Sequence, residues 1–576
     1  MRKIVLSCLA SMFALCVGAK VIKISMADGS TRVFASAQLE SIEFGDNGTL
    51  TVTTYDGRNI DMEGASFDMI DIDDDAEIYN VTDTTITSML DQSVQQRLKK
   101  IDVYYPTSDP WGQPITQSGC ILIPQEVWEG KRACDGIILV NHFTSTQKKQ
   151  SPTRGYFGME SMFIASPLQM SYITVASDFY GFGATERYPQ AFVQGTANGR
   201  ASIDFLFTAR KLLKNLGVDY GSLLFNIGYS SGGYDAMATL KVRDMEYRDE
   251  IFFDKTFAGG GPYDLPACYD EFMTVDNSAF CVGVAMTMVA TNETQRLGIP
   301  YSEMFRKPLD EKLSRWVLEK KLHQFTINDS IAKYATKMSD ILTPKFLDRN
   351  QPMTQSFIHA MQSLSLMDGW TPDTSQKIYL AHARDDAYVP FSAGHPMLEF
   401  LKKSGYENNI YAGRTNLQSN FAFKQLGHIG VGVIYAFETM FALKAWPVIY
   451  DENRKLKPQY ESVLAQEMSS PLALWQMMHE AGIETSWLRG AMANGREMAQ
   501  QFLGDPDAEE GEESTPEESP DGSDSSLSLL DVLQAYVGLY PEDDEEEAAM
   551  NADIGADFRT YIKRLRRLLV LMGVLG

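Results

Sequence analysis

The pattern of apolar and polar positions changes character several times along this chain of 576 residues. Between residues 20 and 75 it has period two. Val21-Ile22-Lys23-Ile24-Ser25-Met26 alternates, and Asp28-Gly29 can turn the chain. Asp46-Asn47-Gly48 turns it again before Leu50-Thr51-Val52-Thr53, and Asp56-Gly57 follows. This predicts a small β-unit that carries no residue suggestive of chemistry, a packing or attachment module.

From about residue 80 to 450 the rhythm is different. Gly136-Ile137-Ile138-Leu139-Val140, Tyr172-Ile173-Thr174-Val175-Ala176 and Leu223-Leu224-Phe225-Asn226-Ile227 are short apolar runs, as are Thr256-Phe257-Ala258 and Ile378-Tyr379-Leu380-Ala381. A strand with one wet face would alternate; uninterrupted runs fit strands buried on both faces of a parallel sheet covered by helices. Ile203, Leu206, Ala209, Leu212 and Leu213 share a helical face and supply the crossover that parallel pairing requires. The prediction is an α/β domain, doubly wound, over 80–450. Residues 265–370 break the rhythm with a helical, Met- and Phe-rich insertion.

Beyond 450 the pattern predicts a helical extension over 451–503 and a largely disordered segment over 504–547. The C-terminal segment 548–576 predicts a basic amphipathic helix. Phe558, Tyr561, Ile562, Leu565, Leu568, Leu569 and Met572 recur at helical spacing opposite Arg559, Lys563, Arg566 and Arg567. Such a helix suits peripheral contact with a membrane surface. The simpler reading is that it packs on its own domain, with its basic side toward the acidic segment.

Composition changes this picture little. Asp505 to Glu547 holds seventeen acidic residues and no Lys or Arg, which accounts for most of the net charge of −25. The acidity therefore belongs to one segment, and no basic stripe offers itself to nucleic acid. The first residues read as a secretory signal. Arg2 and Lys3 precede an apolar stretch, Ile4 to Val17, and Val17-Gly18-Ala19 suits cleavage after Ala19. That stretch is too short to span a bilayer comfortably, and no later one is long and apolar enough. The expected location is secreted, periplasmic or at the cell envelope. The mature chain would keep Cys120, Cys134, Cys268 and Cys281. Local pairing of the first two and of the last two is the simplest disulfide arrangement, and buried free thiols are the alternative.

Chemistry concentrates at Gly228-Tyr229-Ser230-Ser231-Gly232, which matches the nucleophile elbow G-x-S-x-G. A buried-strand pattern ends at Ile227, and Tyr234 to Leu240 can form a helix, so the motif sits at the strand–turn–helix junction it needs. Ser231 lacks a Gly two residues before it. A serine hydroxyl is a weak nucleophile and needs a base oriented by an acid, which in this arrangement follow the serine as acid and then His. Asp385 and Asp386 stand in a loop directly after the strand ending at Ala381. Gly427-His428-Ile429-Gly430 sets one of the chain's seven histidines between glycines, in a loop expected before a helix starting near Val431. His323, His359, His395 and His479 lack comparable settings.

Over residues 101–442 these features resemble the secretory lipase and esterase branch of the α/β hydrolases. The segment from Tyr104 to Pro124, a tyrosine-rich strand followed by Ile121-Leu122-Ile123-Pro124, is similar to that branch's opening hairpin. Ser177-Asp178-Phe179-Tyr180-Gly181-Phe182-Gly183 is similar to its D-Y-x-G-x-G stretch. Gly259-Gly260-Gly261-Pro262-Tyr263-Asp264-Leu265 resembles its Gly-rich turn after the elbow helix. The family's acid motif, H-G-x-x-D-x-x-V-P, laid on His382 to Pro390 selects Asp386, with Asp385 the runner-up. The resemblance implies an α/β-hydrolase fold whose 265–370 insertion is a helical cap. It also implies a serine hydrolase of carboxylic esters, small-molecule or lipid, working through Ser230, Asp386 and His428 with no cofactor or metal. The oxyanion hole would come from Ser231 and from Thr144 in the loop after Val140. The family usually has His-Gly there, and this chain has His142-Phe143, with His142 structural or substrate-facing. A peptidase on the same fold and a binding protein on an inactive scaffold are the alternatives.

Overall fold

The structure, a computed structural model, describes residues 20–458 apart from short internal stretches, the longest of which is 410–415. The expected signal segment, the acidic segment, the basic helix and nearly all of 451–503 lie outside the described residues.

Six strands open the chain: β1 (Lys20–Ser25), β2 (Thr31–Ala35), β3 (Leu39–Phe44), β4 (Thr49–Thr54), β5 (Asn59–Glu63) and β6 (Ser66–Asp71). They form two antiparallel sheets, β2-β1-β6 and β3-β4-β5. Alternation gives them a common core of Ile22, Ile24, Leu39, Ile42, Leu50, Val52 and Met62.

The main sheet has ten strands. Three are antiparallel neighbours: β7 (Glu77–Thr87), β8 (Gln95–Ser108) and β9 (Pro114–Pro124). The others are β10 (Gly136–Asn141), β11 (Tyr172–Ser177), β12 (Leu223–Tyr229), β13 (Lys255–Gly259), β14 (Ile378–Ala381), β15 (Asn408–Asn409) and β16 (Leu417–Asn420). Their order is β15-β16-β14-β13-β12-β10-β11-β9-β8-β7, with every pair from β15 to β11 parallel. β10, β11, β13 and β14 are buried at every position, as unalternating apolar runs require. α1 (Thr196–Asn215) is the crossover into β12 and buries Ile203, Leu206, Ala209, Leu212 and Leu213. α2 (Ser231–Glu246) follows β12.

Between β13 and β14 the chain is helical. Its longer helices are α3 (Leu265–Thr274), α4 (Cys281–Thr294), α5 (Leu309–Glu319), α6 (Gln324–Ala332) and α7 (Pro352–Leu364). After β14 come α8 (Phe391–Lys403) and α9 (Gly427–Ile449). Lys320, just past α5, pins the insertion to the sheet domain, its buried ammonium donating to the Gly181 and Tyr188 carbonyls at 2.7 and 2.5 Å. Beside it, the Gln147 amide donates to the Lys321 carbonyl at 2.9 Å.

Two expectations are corrected. The four cysteines among the described residues are free thiols, so the local disulfides are not formed. Cys120 is buried within β9, while Cys134 lies beyond that strand with its thiol turned to the Gly136 carbonyl at 3.3 Å. α9 also starts earlier than expected, at Gly427, whose N–H donates to the Asp385 carboxylate at 3.2 Å. His428 is thus in the first helical turn, not in a loop before it.

Burial of carboxyls gives the fold a pH dependence. Burial raises Asp235 in α2 to about 8, against the hydrogen bond from Asn198, and raises Asp178 to about 6. Unfolded Asp titrates near 3.9, so folding takes up protons at these two carboxyls, and their contribution to stability falls as pH rises from about 4 to 8. Asp235→Asn is expected to flatten that fall, by several degrees in Tm between pH 5 and pH 8. Parallel slopes for the variant and the parent would contradict it.

Candidate active site

β12 runs into α2 through Ser230, whose backbone takes φ 59° and ψ −126°. That region is costly for a residue with a side chain, by about 1–3 kcal/mol, and persists only where the surroundings impose it. The surroundings here are backbone. A Cβ on Gly228 would stand 1.9 Å from the Gly232 carbonyl oxygen, and one on Gly232 would stand 2.2 Å from that of Asn141. Both glycines of the motif are therefore steric necessities. The Ser230 N–H donates to the Gly259 carbonyl at 2.8 Å, which ties the turn to the Gly-rich segment after β13.

His428 meets Ser230 from α9. Its Nε2 lies 2.9 Å from Ser230 Oγ, and its Nδ1 lies 2.6 Å from Asp386 Oδ2. Asp386 Oδ1 accepts the N–H groups of Tyr388 and Val389 at 2.9 and 2.8 Å. Burial acts to raise the Asp386 carboxyl, but the His428 imidazole, its hydrogen bond and His382 outweigh it and hold the pKa below the usual value. With Nδ1–H donating to the carboxylate, Nε2 is left to accept the serine proton.

His428 is held by its neighbours. Tyr229, the residue before the serine, packs its ring 5.1 Å from the imidazole and donates its hydroxyl to the His428 carbonyl at 2.5 Å. Tyr388 covers another side, with ring centroids 5.3 Å apart. His382 lies beneath Asp386. Burial lowers its pKa, and its Nε2 sits 2.9 Å from the Val389 carbonyl and 3.8 Å from Asp386 Oδ2.

Ser231 and Thr144 flank the serine, their hydroxyls 3.2 Å apart. The Phe143 N–H donates to Glu160 at 2.9 Å, so it is already committed, and Thr144 carries the next N–H along the loop. His142 is half-buried, its nitrogens 2.9 and 3.3 Å from the Phe143 and Asp178 carbonyls, and desolvation lowers its pKa. It is a packing residue, remote in role from the Asp386–His428–Ser230 chain.

Two cavities meet at Ser230. One passes Ser231 and runs under the helical insertion, lined by Leu265, Phe272, Val284, Thr287, Met288 and Met361 among others. The other contains His428 and is lined by Tyr156, Met159, His323, Gln324 and Phe325. Thr144, Phe280 and Tyr388 border both, and the last two stack at 4.8 Å. His323 and Gln324 were invisible as site residues in the sequence. They arrive from α6 and its cap position, far along the chain from Ser230, Asp386 and His428 alike, by the folding of the insertion over the sheet. Among the described residues, no group of three or more His, Cys, Asp or Glu side chains is placed to hold a metal ion. Among them, too, no helix is long and apolar enough to cross a membrane.

No protein-family model matches the sequence, and comparison with curated proteins gives no match either. Solved structures do match. The chain is similar to a candidate hydrolase of Legionella pneumophila, at 18% identity over 64% of this chain and 97% of that one, with a TM-score of 0.54. It is similar also to a ligand-bound form of LipA, the rice cell wall degrading esterase of Xanthomonas oryzae. There the identity is 18% over 66% of this chain and 99% of that one, with a TM-score of 0.50. At these identities the likeness establishes the fold.

Proposed function

We propose that this chain, which has the α/β-hydrolase fold, is an exported serine hydrolase that cleaves carboxylic esters through an acyl-enzyme. The observation that carries the reading is the unbroken relay from Asp386 through His428 to Ser230 Oγ. Ser230 Oγ attacks the ester carbonyl while His428 Nε2 takes its proton. The developing oxyanion turns to the N–H of Ser231, at the start of α2, and to that of Thr144. His428 then returns the proton to the departing alkoxide, and water releases the acid by the same path. Asp386 holds the imidazole in the required tautomer throughout. Export rests on the charged start at Arg2 and Lys3, the apolar stretch to Val17 and the cleavage pattern at Ala19.

The two cavities divide the substrate. His428 must protonate the leaving alcohol, so the alcohol belongs in the cavity that contains it. The acyl group then belongs on the Ser231 side, among the apolar side chains of α3 and α4. Nitrophenyl esters of increasing acyl length are expected to be turned over, with anilides of the same acids inert. Faster cleavage of the anilides would make the protein a peptidase instead. Thr287→Trp, narrowing the acyl cavity from α4, is expected to lower kcat/KM for a decanoyl ester about tenfold and to spare the acetyl ester. An equal loss on both esters would place the acyl chain elsewhere.

A further inference from the structure

The loop after β10 carries Phe143 where the resembled family usually has Gly, and side chains hold it from both ends. Downstream of Thr144, Gln150 Oε1 accepts the N–H groups of Thr146 and Gln147 at 2.9 and 3.0 Å. Upstream, Glu160 Oε1 accepts the Phe143 N–H at 2.9 Å. Thr144 is thus fixed between two side-chain acceptors that both come from the segment following the loop.

The Glu160 side is the unusual one. Its carboxyl is buried, and the Phe143 N–H is the backbone group it accepts. Burial raises it to about 7. A carboxyl so placed costs stability unless it satisfies something that matters. The same turn also seats the Phe143 ring: a Cβ on Gly158 would lie 2.2 Å from Phe143 Cε1, and Tyr156 packs at 6.2 Å. One short segment therefore takes hold of Phe143 by its N–H and by its ring.

We infer that the 156–160 turn is a clamp on the oxyanion loop, with Glu160 the positioning residue that sets where the Thr144 N–H points. The inference rests on the reading of Ser230 as nucleophile. Glu160 touches no reacting atom and acts through Phe143. An amide oxygen accepts the same N–H, so the clamp needs an acceptor at this place and not a charge. The bulky Phe143 is tolerated because Gly158 makes room for its ring.

The test compares the parent with Glu160→Gln, Glu160→Ala and Gly158→Ala on a nitrophenyl ester, beside hydrogen exchange of the peptide covering residues 140–147. Glu160→Ala is expected to lower kcat about ten- to a hundredfold with KM within about twofold, and to speed exchange in that peptide. Glu160→Gln is expected to keep kcat within about threefold, which a demand for charge would not allow. Gly158→Ala pushes on the ring without touching the carboxyl and is expected to lower kcat likewise, so misfolding of one variant leaves the other to decide. An active parent whose folded Ala variants keep full kcat and slow exchange would overturn the clamp. A parent with no turnover and no fluorophosphonate labelling of Ser230 would instead overturn the hydrolase reading, and the exchange data would still decide the clamp.

Discussion

Ser230→Ala is expected to lower ester turnover by roughly a millionfold, the scale seen when the nucleophile of such a relay is removed. The substitution keeps the Cβ that the turn already accommodates and removes only Oγ, the atom 2.9 Å from His428 Nε2. Melting should therefore stay within about 3 °C of the parent, which separates loss of chemistry from loss of fold. Fluorophosphonate labelling should vanish with activity. A variant that retained a thousandth of the parent's turnover would remove Ser230 as nucleophile and turn attention to Ser231, whose hydroxyl faces Thr144.

Adjacent aspartates provide the second large contrast. Asp386→Asn is expected to cost about 10⁴-fold in kcat, because an amide facing Nδ1 favours the wrong tautomer of His428. Asp385→Asn is expected to cost no more than a few-fold. Its carboxylate accepts the Gly427 N–H at 3.2 Å, and an asparagine oxygen can do the same. The difference follows from two residues of one loop pointing to different places. Asp386 has a fully buried side chain with His428 and two N–H groups on it, whereas Asp385 holds only the start of α9. Comparable losses for the two variants would mean that α9 is positioned mainly from Asp385. Both rates are read with the same nitrophenyl ester under saturating conditions.

The sequence made some of this legible and left the rest in the dark for identifiable reasons. β10, β11, β12, β13 and β14 were visible because strands buried on both faces need unbroken apolar runs. β16 was not. Its sequence, Leu417-Gln418-Ser419-Asn420, is polar, and it is a strand because it pairs with β14 and buries Ser419 and Asn420. Ser230, Asp386 and His428, which the structure brings within hydrogen-bond distance, could be picked out because each stands in a distinctive local setting. Thr144 followed from position alone. His323, Gln324, Phe280 and Glu160 could not be found in this way. Each reaches the site through tertiary packing and leaves no periodicity or spacing behind.

The backbone of Ser230 sets stability against activity at a single position. Glycine would adopt φ 59° and ψ −126° without penalty, and Gly228, Gly232 and Gly233 already surround the turn. A chain selected only to fold would gain from a glycine there, on the order of 1 kcal/mol. On the proposed reading, the Ser230 hydroxyl repays that strain in reactivity. A thermostability screen blind to turnover would therefore tend to erase this residue first, and an inactive relative of this protein would be recognised by its absence.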